Sequence, residues 1–230
     1  MKIRIVTSAI IFNATITINL FSQNFIQPNV SLKSHETLEL RKLELSPEKT
    51  VVYLQIENRI EGGNFCADKN VFIIYPDGSK SKLINAVGIP QCPDIYKFKS
   101  IGEKLEFTLT FPPLKQDAAW IDIVEECSAN CFYFYGITLD NDLNKRLDEA
   151  FIIAAKGDPV KTMSLFRNIL ESVNKENIGI EGLLYINIIC AAVEAGDKVE
   201  TSVWYKRLIS SHAPRLNEYV KYLNDKGIKY

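Results

Sequence analysis

Histidine is almost absent from this chain: of 230 residues, only His35 and His212 carry an imidazole. A catalytic zinc held by two or three histidines therefore has no ligand set to draw on. His35-Glu36 opens like the zinc-protease pattern H-E-x-x-H, but Glu39 stands where the second histidine belongs. Phosphate-cradling loops are missing as well, since Gly62-Gly63 is followed by neither lysine nor serine. There is no basic stripe: Lys and Arg number 27 against 28 Asp and Glu, which excludes the clustered positive charge that nucleic-acid backbones require. A calcium loop also fails. Asp140-Asn141-Asp142 begins one, yet Lys145 takes the glycine position and Phe151 that of the bidentate glutamate, so a helix cap is the expected role. The sequence calls for no metal and no cofactor.

Long apolar runs are scarce too. The longest, Ile5 to Phe21, is broken by threonine, serine and asparagine and is short for a membrane span of about 20 residues. It follows Lys2 and Arg4, which is the order of a secretory signal peptide, expected over 1–23. An uncleaved anchor and an N-terminal strand are the alternatives. After cleavage no stable membrane span would remain, and the protein is expected to be exported, periplasmic or secreted.

Five cysteines agree with export. Cys127 and Cys131 flank Ser128-Ala129-Asn130 between two strand-like stretches. Across a three-residue hairpin loop their Cα atoms would lie about 4.5–5.5 Å apart, within disulfide range. Cys66 and Cys92 are the preferred remaining pair, and closing their loop is worth about 3–4 kcal/mol on chain-entropy grounds. Cys190 sits in the apolar helical run Tyr185 to Val193 and is expected to pack as a small hydrophobe.

From 30 to 140 the chain alternates. Leu105, Phe107, Leu109 and Phe111 point one way in EKLEFTLTF, with Glu106, Thr108 and Thr110 opposite. VFIIYPDGSKSKLINAV places two strands around Pro76-Asp77-Gly78. Seven or eight such strands predict an immunoglobulin-like antiparallel β-sandwich, with a barrel as the alternative. The period changes at Asp140, and 141–230 predicts a helical-hairpin domain with helices near 141–156, 159–174, 180–195, 198–211 and 215–226. The fold class is thus α+β, a sandwich followed by two helical hairpins and a capping helix. Asp158-Pro159 is a cap followed by a first-turn proline, and Pro214 is expected to start the last helix likewise.

The tail repeats itself. GDPVKTMSLFRNIL from Gly157 aligns without gaps onto GDKVETSVWYKRLI from Gly196, pairing Val160 with Val199, Thr162 with Thr201 and Phe166 with Tyr205. This helix, Gly-Asp turn, helix unit resembles tetratricopeptide repeats over about 141–213, with a period of 39 in place of the family's 34. The resemblance implies protein or peptide binding. TFPPLKQDAAWIDIVEECSANCFYFYGITLD is similar to the closing hairpin of β-domains in uncharacterised exported bacterial proteins, which implies export and a β-to-helix order but no activity.

Three sets of side chains are left as candidates for function. Asp122 and Glu126 would share a strand face, with Glu125 opposite, giving a hydrolase reading against the ordinary one of solvated acids. Cys190 with His212 as nucleophile and base has less to support it than helix packing has. The aromatics are denser: Tyr133 and Tyr135, with Trp120, would form a small-ligand or glycan surface if they face outward, or an interface if the helices cover them. The leading expectation is a non-enzymatic interaction or adaptor module with a protein or peptide partner. Ligand or glycan binding by the β-domain and hydrolysis by the acidic residues come second and third.

Overall fold

The computed structural model describes residues 22–115, 117–173 and 178–229, so the expected leader lies almost wholly outside them. The first strand, β1, begins at Gln23, the last residue assigned to that leader and seven before the expected start of the β-domain. In chain order the strands are β1 (Gln23–Ile26), β2 (Val30–Lys33), β3 (Leu38–Leu45), β4 (Thr50–Glu57), β5 (Asn64–Phe65) and β6 (Val71–Ile74). They continue with β7 (Lys80–Lys82), β8 (Asn85–Val87), β9 (Tyr96–Lys97), β10 (Lys104–Phe111), β11 (Trp120–Glu125) and β12 (Tyr133–Thr138). Five helices follow: α1 (Asn141–Ala155), α2 (Pro159–Ser172), α3 (Glu181–Glu194), α4 (Lys198–Ile209) and α5 (Leu216–Asp225). The protein is α+β, with its strands N-terminal and its helices C-terminal.

Two antiparallel five-stranded sheets, ordered β1-β3-β4-β10-β8 and β2-β12-β11-β6-β7, face one another across a common core, and β5 pairs with β9 beside them. The alternation in β10 is the clearest link from sequence to packing. Leu105, Phe107, Leu109 and Phe111 are all buried in that core, where Val71, Ile73, Ile121 and Ile123 of the opposite sheet meet them. In β3 the inward positions shift from Leu38 and Leu40 to Leu43 because the pairing with β4 is irregular between Leu40 and Lys42.

Both proposed disulfides form. Cys66–Cys92 has Cα atoms 5.3 Å apart and Cys127–Cys131 5.5 Å. Two disulfides suit an oxidising, extracellular environment. No helix among the described residues is long and apolar enough to cross a membrane.

The helices stack in sequence order, with α5 set against α3 and α4. Asp158 and Asp197 cap α2 and α4 by accepting from the Lys161 and Glu200 amides at 3.0 and 2.9 Å. Positions matched in the repeat share a fate: Thr162 and Thr201 are buried, as are Phe166 and Tyr205. The expected start of α5 is corrected. Pro214 does not open the helix; Arg215 stands at the cap position with φ 59°, without a side-chain capping bond, and α5 begins at Leu216. That left-handed turn aims the Arg215 guanidinium back at the sheet.

Candidate functional site: the seam and groove between sheet and helices

β11 is buried on both faces. Ile121 and Ile123 enter the sandwich core, while Trp120 and Asp122, of opposite parity, face the helices. The adjoining β12 carries an extra residue: Ile121 pairs with Ile137 and Ile123 with Phe134, so Tyr135 and Gly136 together oppose Asp122. Gly136 takes φ 60°, and its amide donates to Asp122 Oδ1 at 2.7 Å. The other carboxylate oxygen pairs with Arg215, whose guanidinium also lies 3.9 Å from the centre of the Tyr135 ring. Desolvation holds the Arg215 pKa below its ordinary value.

Two glycines let the backbones meet here. Gly179, at φ 76° before α3, rests on the Trp120 ring, and a Cβ on Gly136 would run into the Gly179 carbonyl. Gly182 in α3 leaves room for the ring of Tyr219 from α5, and the Tyr219 hydroxyl shares a hydrogen bond with Ser31 of β2. The far end of the seam is held by Asn29 without an ion pair. Asn29 donates its backbone amide to Asn144 Oδ1 at 2.7 Å, and its side-chain amide reaches Asn144 Oδ1 and Asp148 Oδ1 at 3.1 and 3.0 Å.

Burial pushes Tyr219 up to about 12. An unfolded tyrosine releases its proton near 10, so between those values the unfolded chain is ionised while the folded one still holds the proton. Stability must then fall as pH rises through that window, by about 2–3 kcal/mol for a shift of this size. Urea unfolding between pH 9 and about 12 should show this loss, and Tyr219→Phe should reduce its steepness.

These facts relocate the sequence candidates. Tyr133 and Tyr135 do share the outer face of β12, and their rings stack at 4.2 Å. Both are half-buried, Tyr135 lies beneath Arg215, and Trp120 is only 4% exposed. The aromatic set therefore belongs to the seam. The acidic residues have separate partners: Asp122 is engaged by Arg215 and Gly136, and Glu126 is exposed beside Lys80. Glu125 is buried, its oxygens accepting the Asp68 and Phe132 amides at 2.6 and 3.0 Å. Burial raises the Glu125 pKa, but both oxygens are engaged in tying loops together. Glu125, Cys127 and Cys131 are close enough to share a cation, but the disulfide occupies both sulfurs. Cys190 has its thiol pushed up by burial, the reverse of an activated nucleophile, and His212 is exposed.

Periodicity gave no sign of a groove beside the seam. A cavity of about 660 Å³ opens between the outer edge of β2, which no other strand of the described residues covers, the start of β3 and helices α1, α3 and α5. Leu32, Leu40, Phe151, Ile186 and Tyr222 line it, with Asn187 and Cys190 on the helical wall. Its volume is that of a binding cleft, and it lies where two layers meet, a common place for one. Lys33 and Arg41 stand on the strand side, and Glu39 is already paired with Arg41 at 2.8 Å. No protein-family model, curated protein or solved structure matches this chain.

Proposed function

We propose that the protein is an exported, non-enzymatic interaction module that holds a protein or peptide in the groove between its β-part and its helices. In this reading the β-part is an immunoglobulin-like sandwich and the tail is built of tetratricopeptide-like hairpins. The observation that carries it is the 660 Å³ cleft with walls drawn from both parts. The seam supports it as well, because Asp122, Arg215, Gly136, Gly179 and Tyr219 join the parts into one unit with a defined cleft beside them. Acid–base chemistry has little support, since Asp122 and Glu125 are engaged within the fold.

Cys190 gives the test a built-in reporter, being the one cysteine outside the two disulfides. A partner recovered from the envelope or secreted fraction should slow maleimide labelling of Cys190 by about tenfold or more at saturation. Asn187→Trp, which fills the cleft, should abolish both recovery and protection without lowering the unfolding midpoint. A partner that binds but leaves Cys190 labelling unchanged would overturn the reading.

A further inference from the structure

We infer that the groove receives an extended peptide that joins the second sheet as a new strand along the outer edge of β2, with apolar side chains at alternate positions and an acidic residue near Lys33. This rests on the groove being the binding site and names its occupant.

The backbone supplies the first argument. Among the described residues β2 ends its sheet, with β12 on one side and the groove on the other. The Ser34 amide donates to the Tyr133 carbonyl of β12, so antiparallel alternation turns the backbone N–H and C=O of the preceding residue, Lys33, toward the groove. An incoming strand would satisfy these groups, as in other cases of strand addition.

The walls supply the second. A strand lying along β2 directs its side chains alternately to two faces. One row would meet Leu32, Ile186 and Phe151, and the other the open side of the sandwich near Leu38 and Leu40. β1 pairs with β3 over Lys42–Leu45 and the Gln27 amide donates to the Arg41 carbonyl at 2.9 Å, which leaves the Leu38–Leu40 stretch beside the groove.

Charge supplies the third. Of the ionic side chains lining the groove, Glu39 and Arg41 neutralise one another, leaving Lys33 in excess. The Lys33 ammonium donates to the carbonyls of Glu36 and Leu38 at 2.7 and 3.1 Å and has no carboxylate partner among the described residues. An acidic side chain on the incoming strand would complete it.

The test uses the full chain and an octapeptide library with Val, Ile, Leu or Phe at alternate positions and Ser, Thr, Asp or Glu between them. Selected peptides should protect Cys190 from maleimide and carry an acidic residue at one preferred position. Methylating the backbone nitrogens that face β2 should weaken binding by about tenfold or more, the worth of one or two hydrogen bonds. Lys33→Pro removes an outward N–H without touching the ladder to β12 and should weaken binding similarly, whereas Lys33→Ala should abolish only the acidic preference. If peptides protect Cys190 but neither methylation nor Lys33→Pro matters, strand addition is overturned while the groove stands. If only a fatty acid such as palmitate protects it, or if Lys33→Pro dissolves a dimer of the chain, the occupant is wrong. Protection by none of these probes nor by a native partner removes the groove reading itself.

Discussion

Replacing Asp122 with alanine is expected to lower the unfolding free energy by about 3–5 kcal/mol, the range for breaking a buried ion pair by removing one partner. Asp122 is 2% exposed and serves two groups, the Arg215 guanidinium and the Gly136 amide. Alanine leaves Arg215 with a desolvated charge and Gly136 with an unmet donor. Two further variants divide the loss. Asp122→Asn keeps an acceptor for Gly136 but drops the charge, so it should retain part of the stability. Asp122→Leu combined with Arg215→Met removes both charges and should recover much of the loss, since an apolar pair of similar volume often matches a buried ion pair. Urea unfolding of the four proteins is sufficient; an alanine variant within about 1 kcal/mol of the parent would mean that Arg215 finds water instead.

Gly179→Ala should cost nearly as much for a different reason. Its φ of 76° is unfavourable for any L side chain by about 1–2 kcal/mol, and the new methyl would meet the Trp120 ring, adding about 1–3 kcal/mol of overpacking. Gly157→Ala is the internal control. Gly157 has φ 73° between α1 and α2 with nothing within 4 Å of the added carbon, so it carries the conformational term alone. The difference in urea midpoint between the two variants therefore reads the packing at the seam. Near-UV circular dichroism should change in Gly179→Ala, where Trp120 must move, and stay constant in Gly157→Ala. Equal losses in both would show that the Trp120 contact is soft.

Much of the fold could be read from residue periodicity. Strand β10 has the strict alternation of a half-buried surface, and Asp158-Pro159 marks a helix start by chemistry local to two residues. The hairpin spacing of Cys127 and Cys131 needed only strand geometry. Harder to read were features created when the two parts meet. Asp122 looks like a solvated acid if β11 has one wet face, yet Trp120-Ile121-Asp122-Ile123-Val124 is apolar on both parities, the pattern of a strand covered twice. Arg215 gives no local sign of its left-handed turn, because Pro214 before it is an ordinary helix opener. Strands β1 and β2 have four residues each, too few to show a period beside a leader-like run. The groove is the space those unread contacts leave between them.

The two ends of the seam are fastened by different means. At α1 the chain runs directly from β12 through Leu139 and Asp140, and Asn29 clasps Asn144 in addition, so backbone and side chains hold together. At α5 only side chains reach the sheet, through Arg215 and Tyr219. Phe151 of α1 and Tyr222 of α5 stand on the groove's wall. The helical layer is therefore joined to the sheets by main chain at α1 and by side chains alone at α5, so Arg215 and Tyr219 make an attachment that no adjacent peptide linkage backs up.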